Sequence, residues 1–220
     1  MSEDERDAEG EDCCFDDWVG HWEKQASKGG TVAGVTAPLL DALVGLGLEG
    51  RTVLDIGCGI GDLAIETIGH GAARASGFDL SPKAIEQAKL LAARRGVADK
   101  TAFDVGDGSS VELPHADVVV LNRVFCCYRD ADELLERSLS AAGSVYAFTA
   151  PPSSGLPSLF VKTASRIANA WYRVRESKFH GFRVWIHDLD AIDERIRAAG
   201  FRRVRWERRR FVWRLAVYAR

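Results

Sequence analysis

Short apolar runs and amphipathic segments alternate along the chain from residue 38 onward. The apolar runs have the length and composition of buried strands, and they occupy residues 52–56, 75–79, 101–105, 117–121 and 144–149. Segments with helical patterning lie at residues 62–69, 81–96, 132–140, 158–172 and 188–200. This order predicts an α/β fold in which helices cover a mostly parallel sheet.

The helix after the second predicted strand has the clearest boundaries in the sequence. Ser81 can act as its N-cap, Pro82 suits its first position, and Gly96 can end it. Near the C-terminus, residues 201–208 and 211–219 alternate apolar and polar side chains, which predicts an antiparallel pair. The expected sheet therefore has seven strands and closes with an antiparallel C-terminal hairpin.

The chain of 220 residues is long enough for one domain with its own hydrophobic core. Its first 17 residues hold nine acidic side chains and one basic one, which leaves 28 basic and 23 acidic side chains in the remainder. We expect a disordered acidic tail over residues 1–14 and a single domain over residues 15–220. Within that domain, we expect an N-terminal helical lid over residues 15–48 and an inserted helical segment over residues 150–182.

Composition excludes several classes of protein. No stretch of about 20 uncharged apolar residues predicts a transmembrane helix, and the acidic N-terminus does not look like a secretory signal. The five cysteines include two adjacent pairs, Cys13–Cys14 and Cys126–Cys127, which suit neither a disulfide framework nor a zinc site. We therefore expect a cytoplasmic protein with reduced thiols and no metal, for which peripheral membrane contact stays open.

The segment VLDIGCGIG, which contains the first predicted strand, carries the strongest chemical signal. Its strand would deliver Asp55 to the carboxyl edge of the sheet, where open α/β folds bind ligands. Gly57, Gly59 and Gly61 would let the backbone turn tightly and approach a ligand closely. The dinucleotide-binding pattern GxGxxG needs glycine where this chain has Asp62, so a nucleotide-dependent oxidoreductase is disfavoured.

Two further acids stand at strand ends. Asp79 ends the second strand, 18 residues after Gly61, near the offset at which a carboxylate accepts hydrogen bonds from ribose hydroxyls. Asp107 lies between two glycines after the third strand. Each acid also has a structural explanation, because Asp55 could cap a helix and the other two could stabilise turns. Three acids at three successive strand ends favour a cofactor site.

The pattern D-x-G-x-G-x-G resembles motif I of the class I methyltransferases, which have a Rossmann-like fold and use S-adenosyl-L-methionine. The resemblance implies that Asp79 binds the ribose and that Asp107 receives the adenine amino group. Amino-methylating enzymes carry Asn/Asp-Pro-Pro-aromatic after the fourth strand, whereas Asn122 opens Asn-Arg-Val-Phe here, which disfavours methylation of a base nitrogen. The residues expected to bind the cofactor are Asp55, Gly57, Cys58, Gly59, Gly61, Asp79, Leu80, Asp107, Gly108 and Asn122. No catalytic residue is assigned.

From Phe15 to the C-terminus, the chain is similar to magnesium-protoporphyrin O-methyltransferase and its bacterial relatives. The shared features include the aromatic lead-in, motif I, the acid turn at Asp79 and the segment after the fourth strand. The chain departs from the porphyrin enzymes at Cys127, where they carry a histidine before the tyrosine, and at Phe15, where they carry a tyrosine. The resemblance therefore implies methyl transfer to a small-molecule acceptor, with oxygen as the expected acceptor atom, and does not identify that acceptor.

Other interpretations remain open. The arginines within residues 202–210 could bind RNA, as in an RNA-binding protein or an RNA methyltransferase, but they alternate with apolar residues, so a solvated strand face explains them better. A cofactor-binding pseudoenzyme is a further alternative. Trp18, His21 and Trp22 fit either a lid over the cofactor or a surface helix that the tryptophans hold in place. No DNA partner is expected, and the sequence does not indicate the oligomeric state.

Overall fold

The computed structural model describes residues 15–16, 19–20, 34–174, 183–209 and 212–220. The strands are β1 Thr52–Ile56, β2 Arg74–Asp79, β3 Thr101–Val105, β4 Ala116–Asn122, β5 Ala142–Ala150, β6 Arg202–Arg209 and β7 Trp213–Ala219. The α-helices are α1 Thr36–Gly45, α2 Asp62–Gly69, α3 Pro82–Arg94, α4 Asp132–Ala141, α5 Leu156–Val174 and α6 Leu189–Ala198. Short 3₁₀ turns occupy Ala98–Lys100 and Phe125–Cys127. No helix in these ranges is both long and apolar enough to cross a bilayer.

The strands form one seven-stranded sheet with the order β3-β2-β1-β4-β5-β7-β6. Strands β1 to β5 pair in parallel, whereas β7 pairs antiparallel with both β5 and β6. The predicted α/β fold, with a mostly parallel seven-stranded sheet and an antiparallel C-terminal hairpin, is confirmed. Because the chain passes from β3 on one edge to β4 beside β1, the strand order reverses between β1 and β4, where open α/β sheets bind ligands.

The two faces of the sheet carry separate hydrophobic cores. Along β4, Val118 and Val120 pack into the core beneath α1, α2 and α3, whereas Val119 and Leu121 pack into the core beneath α4 and α6. All four side chains are at most 1% exposed. This strand is therefore apolar without interruption because both of its faces are buried, as in other parallel sheets.

Helix α1 differs from the expectation for residues 15–48, which places that whole range in a lid. Its side chains Leu39 and Leu43 are 0% and 1% exposed and lie in the same core as α2 and β1. The hydroxyl of Thr36 also accepts a hydrogen bond from the Asn122 side-chain amide at 2.9 Å. Residues 36–45 therefore belong to the helix layer, and the lid hypothesis applies only to the chain that precedes them.

Local capping signals explain two helix starts. The Ser81 hydroxyl accepts a hydrogen bond from the Ala84 backbone amide at 3.0 Å, with Pro82 at the first helical position of α3, as predicted. The Asp188 carboxylate accepts hydrogen bonds from the Asp190 and Ala191 amides at the start of α6. Helix α5 begins at Leu156, two residues earlier than predicted.

Candidate cofactor and acceptor site

A cavity of about 560 Å³ lies at the carboxyl ends of the parallel strands. Its walls come from the loop after β1, the end of β2, the segment after β4, helix α5 and the start of β7. The volume falls within the usual range for small-molecule and cofactor sites. One cavity therefore joins the predicted cofactor loop to the inserted helix.

The glycine loop after β1 is held tightly against neighbouring elements. The backbone amides of Gly57 and Cys58 donate hydrogen bonds to the carbonyl of Phe78 at 2.7 and 3.0 Å, which ties the loop to β2. A Cβ atom at Gly57, where φ is +69°, would lie 2.4 Å from Val124. Any side chain here would therefore displace the segment after β4, so the loop needs glycine for packing as well as for conformation.

Three acids converge on the cavity from β1, α2 and β2. Asp55 is 2% exposed, and its Oδ1 atom has no hydrogen-bond partner. The Asp79 carboxylate accepts hydrogen bonds from the Gly59 amide at 2.8 Å and the Ser81 amide at 2.9 Å. Burial raises the pKa of Asp55, Asp62 and Asp79, and the two other acids raise that of Asp55 further. Three buried carboxyl groups close together favour additional positive charge beside them, so this wall of the cavity suits a positively charged ligand.

The end of β4 is strained and firmly anchored. Arg123 adopts φ +66°, a left-handed conformation that is rare for a residue with a side chain. Its amide donates to both the carbonyl and the hydroxyl of Thr149, at 3.1 and 3.0 Å. Among the described residues that line the cavity, Arg123 is the only cation, and its charge lowers the pKa of Asp55 and Asp62 in opposition to burial.

Most of the predicted cofactor residues line this cavity. They are Asp55, Gly57, Cys58, Gly59, Asp79, Leu80, Gly108 and Asn122. Gly61 does not line it, because this residue precedes α2 and packs against Phe103, whose ring would lie 2.7 Å from a Cβ atom added at Gly61. Asn122 lines the cavity, but its side-chain amide is already hydrogen-bonded to Thr36 and to Thr149 at 2.9 and 2.6 Å.

Asp107 also lies outside the cavity lining. Its carboxylate accepts hydrogen bonds from the Tyr128 hydroxyl at 2.7 Å and from the amide and hydroxyl of Ser109 at 2.8 and 2.7 Å. Burial and the bond to Asp107 raise the pKa of Tyr128 above its ordinary value, so this phenol stays protonated at neutral pH. Asp107 therefore holds Tyr128 at the cavity wall in this structure, and its assignment to adenine stays a prediction.

The opposite wall is apolar and comes from segments that follow β5. Its residues are Phe160, Val161, Ala164, Ala168, Val184, Val212 and Trp213. The Asn169 side chain both donates to the Val184 carbonyl and accepts from the Val184 amide, each at 2.9 Å, so α5 is clamped to the strap of residues 183–188. The strap is in turn hydrogen-bonded to the 3₁₀ turn after β4 and the residue that follows it. The Trp185 amide donates to the Cys126 carbonyl, and the His187 ring is hydrogen-bonded to the Tyr128 carbonyl.

Some lining residues could not be predicted from the sequence, and one signal was missed. In the sequence, Asp62 argues only against a dinucleotide site, although an acid at the first position of the helix after a glycine loop is a detectable signal. Val184, Val212 and Trp213 carry no local pattern, because long-range packing alone brings them to the cavity. Phe15 lines the cavity, whereas Trp18, His21 and Trp22 of the same proposed lid lie outside the described residues.

Part of the chain is similar in sequence to known methyltransferases. Residues 54–142 match the family model described as a methyltransferase domain. Ribosomal protein L11 methyltransferase of Pectobacterium carotovorum subsp. carotovorum (strain PC1) is 35% identical over 136 residues, which are 62% of this chain and 43% of that protein. The chain thus matches less than half the length of this curated relative.

Solved structures agree on the fold. Magnesium protoporphyrin IX methyltransferase from Synechocystis PCC 6803, with bound S-adenosylhomocysteine, aligns with a TM-score of 0.67 at 21% identity over 94% of this chain and 96% of the other. A [4+2]-cyclase aligns with the same score at 17% identity over 94% of each chain. The chain therefore has the class I, Rossmann-like fold of these structures, and its residues 54–142 match a methyltransferase domain.

Proposed function

We propose that this protein transfers a methyl group from S-adenosylmethionine to an oxygen atom of a small apolar molecule. One observation carries the proposal. A single cavity joins a wall of three buried acids to an apolar wall formed by α5, the strap and β7. The acidic wall suits a cationic cofactor, and the apolar wall suits an acceptor with a large hydrocarbon surface.

The residues present fit the cofactor. The unpartnered Oδ1 of Asp55 and the neighbouring Asp62 offer acceptors for a ligand ammonium group. Asp79 already accepts two backbone hydrogen bonds, and an ionised carboxylate has further lone pairs for ribose hydroxyls. When bound, S-adenosylmethionine supplies an activated methyl group, so the protein needs mainly to align the acceptor and to exclude water.

The acids of the cavity belong to its cofactor side, and the described residues of the acceptor side offer little for general base catalysis. None of its described lining residues is a histidine, and the His187 ring is bonded to the Tyr128 carbonyl at 2.9 Å. The raised pKa of Tyr128 makes its phenolate a rare species at neutral pH. An acceptor oxygen that is already acidic, as in a carboxylate or an acidic hydroxyl, needs no base. We therefore favour such an acceptor.

A protein acceptor is the second candidate, because the curated relative is by name a methyltransferase of a ribosomal protein. The clamp between Asn169 and Val184 holds α5 and the strap over the acceptor side of the cavity, which favours a molecule small enough to lie beneath them. An RNA acceptor has less support, because Arg203 pairs with Asp193 and Glu207 pairs with Arg205 and Arg209.

The cofactor part of the proposal is tested by calorimetry. S-adenosylhomocysteine should bind with micromolar-range affinity and NADH should not. Asp79→Ala should weaken binding by roughly 2 kcal/mol, or about thirtyfold, through lost charge-assisted hydrogen bonds. Asp104→Ala, which removes an exposed acid from β3, is the matched control and should bind normally. Heat from NADH and none from S-adenosylhomocysteine would overturn the proposal.

The acceptor is found by incubating the protein with labelled S-adenosylmethionine and, in parallel, with a metabolite extract or purified ribosomes, then identifying the labelled product by mass. The expected product is a methyl ester or methyl ether of a small apolar molecule. Label that appears only in ribosomal protein would favour the protein acceptor instead. Cofactor binding with no labelled product from any extract would favour a pseudoenzyme.

A further inference from the structure

The outer face of α5 exposes large apolar side chains. Leu159 and Ile167 are 68% and 66% exposed, and they stand eight residues apart, so they lie on the same side of the helix. Thr163 lies between them and is also exposed. Isolated exposed leucines are ordinary in proteins, whereas apolar side chains aligned along one exposed helix face are a feature that needs an explanation.

The opposite side of α5 is fixed to the domain. Val161 is buried, and the Asn169 amide holds the strap through two hydrogen bonds. Phe160 and Ala164 both line the cavity and remain exposed, so they form part of its rim. The apolar surface therefore continues from the rim of the cavity onto the outer face of the helix.

The charges beside this row are all of one sign. Lys162 and Arg166 are exposed and one helical turn apart, next to the row of Leu159 and Ile167. Residues 156–174 contain no acidic side chain, although the chain as a whole has a net charge of −3. Basic side chains beside an exposed apolar row are typical of helices that lie in the plane of an anionic membrane surface, where the long basic side chains reach the headgroups.

We propose that the outer face of α5 binds the surface of a bilayer that contains anionic lipids, with Leu159 and Ile167 in the interfacial region and Lys162 and Arg166 at the headgroups. If the proposed function is correct, this orientation places the cavity rim at the lipid surface, so an apolar acceptor enters from the membrane. The lipid interaction itself does not depend on methyl transfer.

Two other occupants fit the face less well. A second copy of the chain packed face to face would bring two rows of basic side chains together, which is unfavourable. The acidic residues 1–12 complement the charge, but their apolar side chains are only Met1 and Ala8, so they cannot cover Leu159 and Ile167. A lipid surface supplies both the apolar phase and the negative charge.

The test is sedimentation of the purified full chain with vesicles of phosphatidylcholine alone or of equimolar phosphatidylcholine and phosphatidylglycerol. We expect the wild type to sediment with the anionic vesicles and to be released by high salt. Leu159→Glu with Ile167→Glu, and separately Lys162→Glu with Arg166→Glu, should each reduce partitioning about tenfold or more. Leu90→Glu with Val204→Glu changes two exposed apolar residues on α3 and β6 and should leave partitioning unchanged.

Several outcomes overturn the proposal. These are absence of sedimentation by the wild type, equal sedimentation of the α5 variants and the wild type, and binding that appears only after removal of residues 1–12. A dimer in light scattering that Leu159→Glu with Ile167→Glu dissociates, without vesicle binding by the wild type, would assign the face to a second copy. Binding of S-adenosylhomocysteine by the same variants is a separate measurement that tests the proposed function. A protein that does not bind S-adenosylhomocysteine would contradict the proposed function without affecting the lipid result.

Discussion

The Asp55 carboxylate affects stability and ligand binding in opposite directions. Its Oδ1 is buried without a partner, and burial together with Asp62 and Asp79 raises its pKa well above the usual range. For a carboxyl whose pKa is raised in the folded state, the stabilising contribution is complete below the unfolded pKa and is lost as pH rises through the folded pKa. The ionised form needed for a cationic ligand therefore destabilises the empty protein.

We accordingly predict that Asp55→Asn raises the melting temperature of the ligand-free protein at neutral pH and weakens binding of S-adenosylhomocysteine. A gain of about 1 kcal/mol corresponds to roughly 2–4 °C for a chain of this size. The difference from wild type should vanish as pH falls below the ordinary range of a carboxyl group. Calorimetric melts across pH, with binding measured in parallel, check both effects.

Asp117 is the matched control for Asp55. Its carboxylate accepts hydrogen bonds from the amide and the hydroxyl of Thr52 at 2.8 and 2.9 Å, which lower its pKa. Its contribution to stability is therefore present above the unfolded pKa and lost as pH falls through the folded pKa. Asp117→Asn should lower the melting temperature at neutral pH, opposite to Asp55→Asn. Equal signs for the two variants would contradict this account.

The adjacent thiols of Cys126 and Cys127 contact the Arg123 carbonyl at 3.4 and 3.7 Å, and a hydrogen bond from Cys127 lowers the pKa of Cys126. We predict that they support the turn after β4 without joining the chemistry, because attack on a sulfonium methyl needs no covalent intermediate. Cys126→Ser with Cys127→Ser should keep activity and change mainly the acceptor KM, and EDTA should have no effect. A rate loss of about a thousandfold with unchanged cofactor affinity would make a thiol catalytic.

At the scale of elements, the sequence indicates structures whose signals are local. Asp55 and the glycines after it follow one apolar run, so the cofactor side of the cavity could be predicted. The acceptor side could not, because Val184 and Trp213 reach it through packing between segments distant in sequence. The bond between Tyr128 and Asp107 joins residues 21 positions apart, and no spacing rule indicates it. The sequence alone does not show whether residues 36–45 form a core helix or part of a lid, because the apolar positions of this helix would suit either kind of buried surface.

The clamp between α5 and the strap depends on hydrogen bonds between two elements, so it could not be predicted from the sequence of either element alone. We predict that Asn169→Ala raises the acceptor KM and hydrogen exchange in residues 183–188, with little change in affinity for S-adenosylhomocysteine. Two hydrogen bonds to Val184 are lost, at about 1 kcal/mol each. Thr163→Ala removes an exposed hydroxyl that bonds only within α5 and should change neither quantity. Weaker cofactor binding in Asn169→Ala would show that the clamp supports the whole cavity.

At the scale of the whole molecule, a segment that precedes α1 contacts the cofactor side of the cavity. Phe15 lines the cavity, and Val19 packs with Ile60 of the glycine loop and with Ala84 of α3. The Asp16 carboxylate accepts a hydrogen bond from Ser81 and lies 3.4 Å from the Lys83 ammonium. These contacts connect the N-terminal segment to the loop and helix that flank Asp79.

We predict that removing residues 1–12 leaves melting temperature, cofactor affinity and turnover unchanged, whereas removing residues 1–24 abolishes turnover with the fold retained. The shorter truncation removes an acidic stretch with almost nothing to bury. The longer one removes Phe15 from the cavity wall and Val19 from its contact with Ile60, and should also weaken binding of S-adenosylhomocysteine.

The point variant Val19→Ala should reproduce part of that weakening, because it opens a gap beside the glycine loop. Gly20→Ala, whose added Cβ meets nothing within 4 Å, is its control and should behave as wild type. Full turnover after removal of residues 1–24 would show that the segment is not a lid and that α1 to β7 complete the site without it.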